Sequence, residues 1–353
     1  MIMTKHVSWA LAGASLFALA ACGGGGSDGD GGREEFSLSS KSGALRELAL
    51  AGLVLGEVPD AAPAAAAALA AKKVGGGSGW GKVPLREAPG NRPKVACPVG
   101  GSYTVDSSTK NRSFPYFSVG STAVSFEREV DSNCDFEAEV PQGFTGLKRL
   151  NGIFEFGDTA TLGDGSRIGY YIDGNLNSNP REVFSERQVV RSINSNAIVF
   201  EEFRNRLGTV EQRETSGGAI DVRAVYGYSY DSRDSSGSRP VDYSSFVQLG
   251  NTSTNAPFRG LSDDEDLTLN GLYAYETSEC KGGEVSVSTE DTLELQTVGD
   301  EQYPIGGRLR LASGDKFAVF TFNTDGGATL NLNGTTQTLT PAEVRNAIDD
   351  PDC

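Results

Sequence analysis

Residues 220–230 read Ile-Asp-Val-Arg-Ala-Val-Tyr-Gly-Tyr-Ser-Tyr, and this stretch decides the fold class. Apolar and aromatic side chains occupy every second position, and most of the positions between them are small or polar. Because successive side chains of a strand point to opposite faces of a sheet, this alternation predicts a long β-strand with one apolar and one wet face. A sheet that keeps one face in water is typically antiparallel.

The chain beyond residue 97 repeats this signal many times. Turn sequences such as Asp164-Gly165 and Asp325-Gly326-Gly327 separate the apolar stretches. The predicted strands are residues 124–130, 152–156, 167–172, 183–193, 197–203, 220–230, 243–249, 267–275, 285–288, 293–298, 309–311, 316–322 and 329–332. Residues 316–322 are apolar on both faces, so we expect other elements to pack against both faces of this strand. The prediction is an all-β fold on a curved antiparallel sheet, either a half-barrel or sandwich-like.

Helical signals are confined to two places. Residues 43–72 are rich in Ala and Leu and are divided by Pro59 and Pro63, which predicts short Ala-rich N-terminal helices. Near the other end, Thr340 is suited to an N-cap and Pro341 to a first helical turn. We therefore expect one short C-terminal helix over residues 341–348.

The N-terminal residues have the form of an export signal. Lys5 precedes an apolar run that is too short to span a bilayer, and Leu19-Ala20-Ala21-Cys22 closes that run. This order resembles the lipobox of bacterial lipoproteins, which implies a signal peptide over residues 1–21, cleavage before Cys22, and acyl chains such as palmitate on Cys22. Several acyl chains make a firm membrane anchor. The alternative is an ordinary secreted protein with a chance cysteine.

Composition divides the remainder into three parts. Residues 22–42 are rich in Gly, Ser and Asp, as in a lipidated flexible tether. Residues 43–95 form an Ala-rich helical segment and linker, and residues 96–353 form the β domain.

Leu150-Asn151-Gly152 and Leu269-Asn270-Gly271 each precede an aromatic strand, which suggests a weak repeat over about 97–250 and 260–353. The alternative is that Asn-Gly turns recur in any β protein.

Four cysteines remain once Cys22 carries lipid, and an even number in an exported protein predicts disulfides. Three connectivities are open. We favour the pairing of near neighbours, because short loops cost the least entropy to close. These pairs are Cys97 with Cys134 and Cys280 with Cys353.

The chain lacks several kinds of catalytic chemistry. His6, Met1 and Met3 are the only residues of their types, and all three lie in the predicted signal peptide. Histidine-based triads and histidine-ligated metals are therefore excluded from the mature chain.

Loss of Lys5 changes the formal charge from −16 to −17, since residues 1–21 contain no acid. Such acidity argues against a nucleic-acid partner.

Two groups of residues are candidate binding sites. Tyr226, Tyr228 and Tyr230 share one strand face and could contact a hydrophobic or carbohydrate ligand, although such a row is also typical of a core. Asp263, Asp264 and Asp266 lie in an acidic run that could bind Ca²⁺, the alternative being a solvated charge run. No other cofactor is expected.

Further motifs point to a family. A Cys followed by Gly-Gly, Asn133-Cys134-Asp135, the Leu-Asn-Gly strands and Gly306 to Leu311 resemble uncharacterised β-rich outer-membrane lipoproteins of Gram-negative bacteria. The resemblance covers residues 1–22 and, more loosely, about 95–353, and its motifs carry no catalytic residues. Gly23 follows the lipidated cysteine in place of Asp, which implies sorting to the outer membrane. Attachment to either the periplasmic or the outer side of that membrane is left open.

These observations predict a non-catalytic envelope lipoprotein with a binding or structural role. The membrane is its expected partner through the lipid on Cys22, while a protein partner is left unspecified. One alternative is a surface adhesive or structural protein that uses the acidic C-terminal quarter, where residues 260–353 hold eighteen Asp or Glu against five Lys or Arg. A second alternative is a carboxylate-dependent glycoside hydrolase, which would need two carboxylates across a cleft.

Overall fold

The computed structural model describes residues 34–35, 38–51, 95–138, 140–175, 182–235, 241–251, 254–263, 266–277, 280–281, 283–298 and 301–349. Antiparallel strands make up most of these residues. Two short helices accompany them, α1 over residues 41–51 and α2 over Pro341–Asp349. The predicted all-β antiparallel fold with a short helix towards each end is confirmed. Neither helix is long and apolar enough to cross a membrane.

The chain divides into two compact units. The central unit takes residues 58–259 and 271–278, and the terminal unit takes residues 1–57, 260–270 and 279–353. The strands are β1 (Glu34–Glu35), β2 (Val95–Ala96), β3 (Gly100–Phe114), β4 (Val119–Glu137), β5 (Phe144–Thr161), β6 (Arg167–Asp173), β7 (Phe184–Ser192), β8 (Ile198–Glu214), β9 (Ile220–Asp234), β10 (Val241–Leu249), β11 (Phe258–Asp263), β12 (Asp266–Thr277), β13 (Cys280–Lys281), β14 (Gly283–Val298), β15 (Glu301–Ser313), β16 (Lys316–Phe322), β17 (Ala328–Leu332) and β18 (Thr335–Leu339). The predicted domain boundaries and the weak repeat stay predictions.

The central unit is built on a sheet with the strand order β10-β9-β8-β6-β5-β4-β3-β2, in which all neighbours are antiparallel. Strand β7 also pairs with both β5 and β8. Strands β6 and β7 therefore occupy successive stretches between the same two long strands. This arrangement gives the sheet two faces whose residues follow directly from the register.

A disulfide links the β2 edge of this sheet to its third strand, β4. Cys97 follows β2 and is bonded to Cys134 in β4, with 5.4 Å between the two Cα atoms, which confirms the first predicted pair. Gly101 has φ +75°, and a Cβ there would lie 1.9 Å from the carbonyl oxygen of Asn133. Only glycine fits this close approach, which explains why Gly-Gly follows the cysteine.

The hairpin of β3 and β4 contributes to an apolar cluster of the central unit. Its members are Phe114, Phe117, Val124, Ile168 and Tyr170. The rings of Phe114 and Tyr170 meet edge to face with centroids 6.0 Å apart. A 3₁₀ turn over Pro115–Phe117 lies at the tip of the hairpin. The cluster thus connects this tip to the strands beneath it.

Strand β9 departs from the prediction of one wet face. Val225 and Asp221 are buried, although both lie on the face expected to be wet. The carboxylate of Asp221 binds Arg223 over 3.1 Å and Arg259 over 2.8 Å, so its charge is neutralised where it is buried. The prediction is wrong at this end of the strand, because Arg259 comes from a distant part of the chain.

The terminal unit has the strand order β18-β17-β16-β15-β14, and β1 pairs in parallel with β13. In β16, Ala318 and Phe320 are buried on one face and Val319 on the other. The burial expected for both faces of this strand is therefore found over residues 318–320. Helix α1 and the sheet enclose a cavity of about 40 Å³ lined by apolar side chains, among them Leu48 and Leu269.

Both helices of the terminal unit have defined N-termini. Ser40 caps α1 by accepting a hydrogen bond from the backbone N–H of Gly43 over 3.0 Å. Thr340 and Glu343 form a capping box at α2, since the backbone N–H of Thr340 donates to Glu343 over 2.8 Å and that of Glu343 donates to the Thr340 hydroxyl over 3.3 Å. Lys41 also contacts Glu343, with 2.5 Å from Nζ to Oε1, which joins the two helices.

We predict that replacing both central cysteines, Cys97→Ala with Cys134→Ala, destabilises the central unit. The bond closes a loop with a sequence separation of 37 residues, for which loop entropy gives a loss of about 3–4 kcal/mol in the free energy of unfolding. Urea unfolding followed by circular dichroism measures this loss. The matched control is Ser102→Ala with Ser132→Ala, a directly opposed pair on the same two strands. Equal losses in the two double variants would contradict the prediction.

Candidate functional site

The central sheet presents two chemically different faces. Because side chains alternate along β9, Tyr226, Tyr228 and Tyr230 belong to one face, here named the tyrosine face. The opposite face includes Leu147 of β5 and Val189 of β7, which lie directly across from each other, and is here named the groove face. The predicted tyrosine site lies on the first face, and the newly found groove lies on the second.

Tyr226 lies at the buried end of the tyrosine face. Its hydroxyl donates to Oδ2 of Asp173 over 2.6 Å, and the hydroxyl of Tyr171 donates to the same oxygen over 2.6 Å. Arg206 places Nε 3.7 Å from that oxygen. Burial raises the pKa of Asp173, while Arg206 and the two hydroxyls oppose the rise. Tyr226 therefore helps to hold a buried acid.

Tyr228 and Tyr230 are half-buried and lie among charged side chains. The hydroxyl of Tyr230 donates to Oε2 of Glu202 over 3.4 Å, and the guanidinium of Arg204 lies 5.6 Å from the centre of the Tyr230 ring. Glu202 and Arg204 are also 3.4 Å apart. The structure thus brings the three predicted rings to one face, but intersperses them with ion pairs. Ligand binding by this face stays a prediction.

The groove face contains a groove of about 400 Å³. Its floor is formed by Leu147 and Val189, and Val99 lies at its rim. The remaining lining residues are Glu137, Thr145, Gly146, Arg149, Arg187 and Arg191. The volume of the groove lies within the range of small-ligand sites, and charged groups border its apolar floor.

Strand register sets the positions of the three arginines. Arg149 of β5 lies directly opposite Arg187 of β7, and Arg191 lies directly opposite Thr145. Leu147 and Val189 also lie directly opposite each other, and this pair lies between the two pairs that contain the arginines. Gly146 lets the chain before β5 pack closely, since a Cβ there would lie 2.6 Å from a methyl group of Val140.

Two of the arginines are held in place by carboxylates. Arg149 donates from Nε and Nη2 to the two oxygens of Asp135, over 2.6 and 2.9 Å. Arg187 donates from Nε and Nη2 to Oε1 of Glu201, the first bond being 2.9 Å. Within the described part of the chain, neither Nη1 makes a hydrogen bond. Hydrogen bonding to Asp135 raises the pKa of Arg149, which keeps this guanidinium charged.

The third arginine has a weaker partner. Nη1 of Arg191 donates to the carbonyl oxygen of Asn196 over 3.1 Å, a neutral acceptor in the turn after β7. The groove therefore has guanidinium groups at both ends of an apolar floor. Such groups bind carboxylates and phosphates with two parallel hydrogen bonds.

The groove was not among the residues predicted from the sequence. One local signal was available, because Arg187 and Arg191 flank Val189 at alternate positions of a strand and must share its face. The other half of the site comes from β5, and no local pattern shows that β5 pairs with β7.

The buried carboxylates of the groove face bear on the hydrolase alternative. Glu155 contacts Lys110 and accepts a hydrogen bond from the Tyr170 hydroxyl over 2.8 Å. Glu211 is completely buried, accepts a hydrogen bond from the backbone N–H of Tyr116 over 3.0 Å, and lies 4.0 Å from Arg112. Neither carboxylate lines the groove. Both are engaged in holding the β3–β4 hairpin, which favours a structural role.

The predicted cation site is only partly described. Asp263 ends β11 and Asp266 begins β12, whereas Asp264 lies outside the described residues. Among the described residues, no group of three or more His, Cys, Asp or Glu side chains could hold a metal ion. The Ca²⁺ hypothesis therefore gains no support from a described cluster.

Three cysteines lie wholly or partly outside the residues that the structure describes. Cys22 and Cys353 lie outside the described residues, and Cys280 lies in β13 without a described side chain. Lipidation of Cys22 and the pairing of Cys280 with Cys353 stay predictions.

Comparison of the chain with models of protein families, with curated proteins and with solved structures found no match.

We predict that Glu211 makes the stability of the central unit depend on pH. Burial raises its pKa from 4.5 to about 7, against the opposing effects of Arg112 and the backbone N–H of Tyr116. Between these two pH values the folded state binds more protons than the unfolded state. This contribution to the free energy of unfolding is therefore present below about pH 4.5 and is lost as the pH rises through about 7.

Urea unfolding at pH 5 and pH 8 tests this dependence. The variant Glu211→Gln cannot ionise at this position, so we expect its free energy of unfolding to fall less between the two pH values than that of the natural protein. The matched control is Glu214→Gln, which changes a half-exposed carboxylate on the same strand. The same decrease in Glu211→Gln as in the natural protein would show that Glu211 is not the titrating group.

Proposed function

We propose that this chain is a non-catalytic, lipid-anchored protein of the bacterial envelope that binds a ligand in the groove of its central unit. The observation that supports the binding role is the groove itself, with guanidinium groups at each end of a floor formed by Leu147 and Val189. Its volume of about 400 Å³ lies within the range typical of small-molecule sites.

The proposed anchor rests on the sequence. Leu19-Ala20-Ala21-Cys22 supplies the lipobox, and Gly23 to Gly26 begin a tether that would hold the folded body away from the membrane. Gly23 after the lipidated cysteine supports the outer membrane as the destination. The resemblance to β-rich outer-membrane lipoproteins supports the same location.

Two observations support binding over catalysis. The mature chain would contain no histidine, which removes the most common general base. The buried acids Glu155, Glu211 and Asp173 are engaged by hydroxyls, backbone N–H groups or cationic side chains. Such acids stabilise a scaffold, whereas the Nη1 groups of Arg149 and Arg187 at the groove make no hydrogen bond within the described part of the chain.

We expect Cys22→Ala to abolish lipid attachment. Metabolic labelling with an alkyne-bearing fatty acid, followed by gel fluorescence, should label the natural protein in the membrane fraction and leave the variant unlabelled. The control is the double variant Cys97→Ala with Cys134→Ala, which removes two other cysteines and should stay labelled. Labelling of Cys22→Ala at the natural level would contradict the proposed anchor.

We expect Leu147→Trp to block the groove. Native mass spectrometry of the full chain, released from membranes under mild conditions, should show a retained ligand on the natural protein and its loss from the variant, because the indole ring fills space above the floor. The matched control is Val298→Trp, which adds the same ring at an exposed position of the terminal unit. Identical adducts on Leu147→Trp and the control, or no adduct on any form, would contradict binding in the groove.

A further inference from the structure

We infer that the groove selects an elongated ligand with an oxyanion at each end and an apolar middle. This inference rests on the proposed function of the groove as a ligand site and adds the chemical class of the ligand. It follows from where the charges lie along the two strands that form the floor.

The cationic groups are separated along the strand direction. Arg149 and Arg187 form one end, since they are directly opposite each other across β5 and β7. Arg191 forms the other end, four residues further along β7. At the rise of an extended strand, its backbone lies about 13 Å from that of Arg187. A compact anion can contact only one of these ends, whereas an elongated dianion can contact both.

The middle of the groove is suited to an uncharged segment. Leu147 and Val189 are directly opposite each other in the row between the two cationic ends. Glu137 lies opposite Leu147 on the other side of β5 and is exposed to solvent. Its carboxylate repels an anionic group above the floor but has little effect on a hydrocarbon segment. The charge pattern therefore favours oxyanions at the ends alone.

The two ends differ in how their charges are balanced. Arg149 and Arg187 are oriented by Asp135 and Glu201 through Nε and Nη2, so their Nη1 groups are the donors left for a ligand. An oxyanion between them could accept a charge-assisted hydrogen bond from each Nη1 group. Among the described residues, Arg191 hydrogen-bonds to a backbone carbonyl and to no acid, so no described carboxylate offsets its charge.

Isothermal titration with α,ω-dicarboxylates of increasing length tests the inference directly. The full lipidated chain in nanodiscs is titrated with butanedioate, hexanedioate, decanedioate and tetradecanedioate, with empty nanodiscs as the blank. We expect affinity to increase to a maximum near decanedioate, whose length roughly matches the backbone separation of about 13 Å between Arg187 and Arg191. Decanoate, with one carboxylate, should bind at least about tenfold more weakly than decanedioate, because it loses one charge-assisted contact.

The variant Arg191→Gln separates the two ends. It should lower the affinity for decanedioate at least about tenfold, to the level of decanoate, since one terminal contact is lost. The matched control Arg308→Gln removes the same charge from an exposed, ion-paired arginine of the terminal unit and should bind like the natural protein. Circular dichroism confirms that each variant is folded before titration.

Affinity that does not depend on dicarboxylate length, or an Arg191→Gln variant that binds decanedioate as the natural protein does, would overturn this inference. The proposed function fails in a different way. If dicarboxylates do not bind but Leu147→Trp still removes a retained neutral ligand, the groove is a ligand site and only the chemical class is wrong. If Leu147→Trp leaves every retained ligand in place, the groove is not the site.

Discussion

Charge pairing inside the central sheet is the constraint on which the rest of this structure depends. Carboxylates such as Asp173 and Asp221 are buried, and an unpaired buried charge is strongly destabilising. The fold meets this constraint with partners from other strands, so that Arg206 approaches Asp173 and Arg259 approaches Asp221. Removing one partner of such a pair typically costs about 3–5 kcal/mol. The pairs thereby favour one register of the long strands over its alternatives.

The same kind of pairing has a different consequence where the sheet meets solvent. Asp135 and Glu201 each hold one side of an arginine at the groove, which fixes the direction of both guanidinium groups. A cation oriented before binding loses less side-chain entropy when a ligand arrives. The same pairing that stabilises the interior of the sheet thus preorganises an anion site on its groove face. Arg191 extends that site along β7.

The sequence predicts the elements with strong local patterns and misses those that depend on distant pairing. The alternation over residues 220–230 correctly indicates β9, and loop entropy correctly selects Cys97 with Cys134. Strand β3 is missed because its sequence is rich in Ser and Thr, and only Tyr103 and Phe114 within it are buried. Its polar side chains are accommodated because β4 supplies hydrogen bonds along its whole length.

The candidate site was still less accessible to sequence reasoning. The tyrosines attract attention because they alternate within one strand, yet Tyr226 is committed to Asp173, which lies 53 positions away. The groove needs Leu147 to face Val189, and that register is set by β5 pairing with β7. Arginines distributed over two strands also look like ordinary ion-pair partners until the apolar floor between them is known.

A crystal structure of the protein grown with decanedioate tests the central claim most directly. Binding in the groove predicts electron density for the ligand along Leu147 and Val189, with one carboxylate at Arg191 and the other between Arg149 and Arg187. Density for the ligand on the tyrosine face, or a groove that stays empty at saturating ligand, would contradict it.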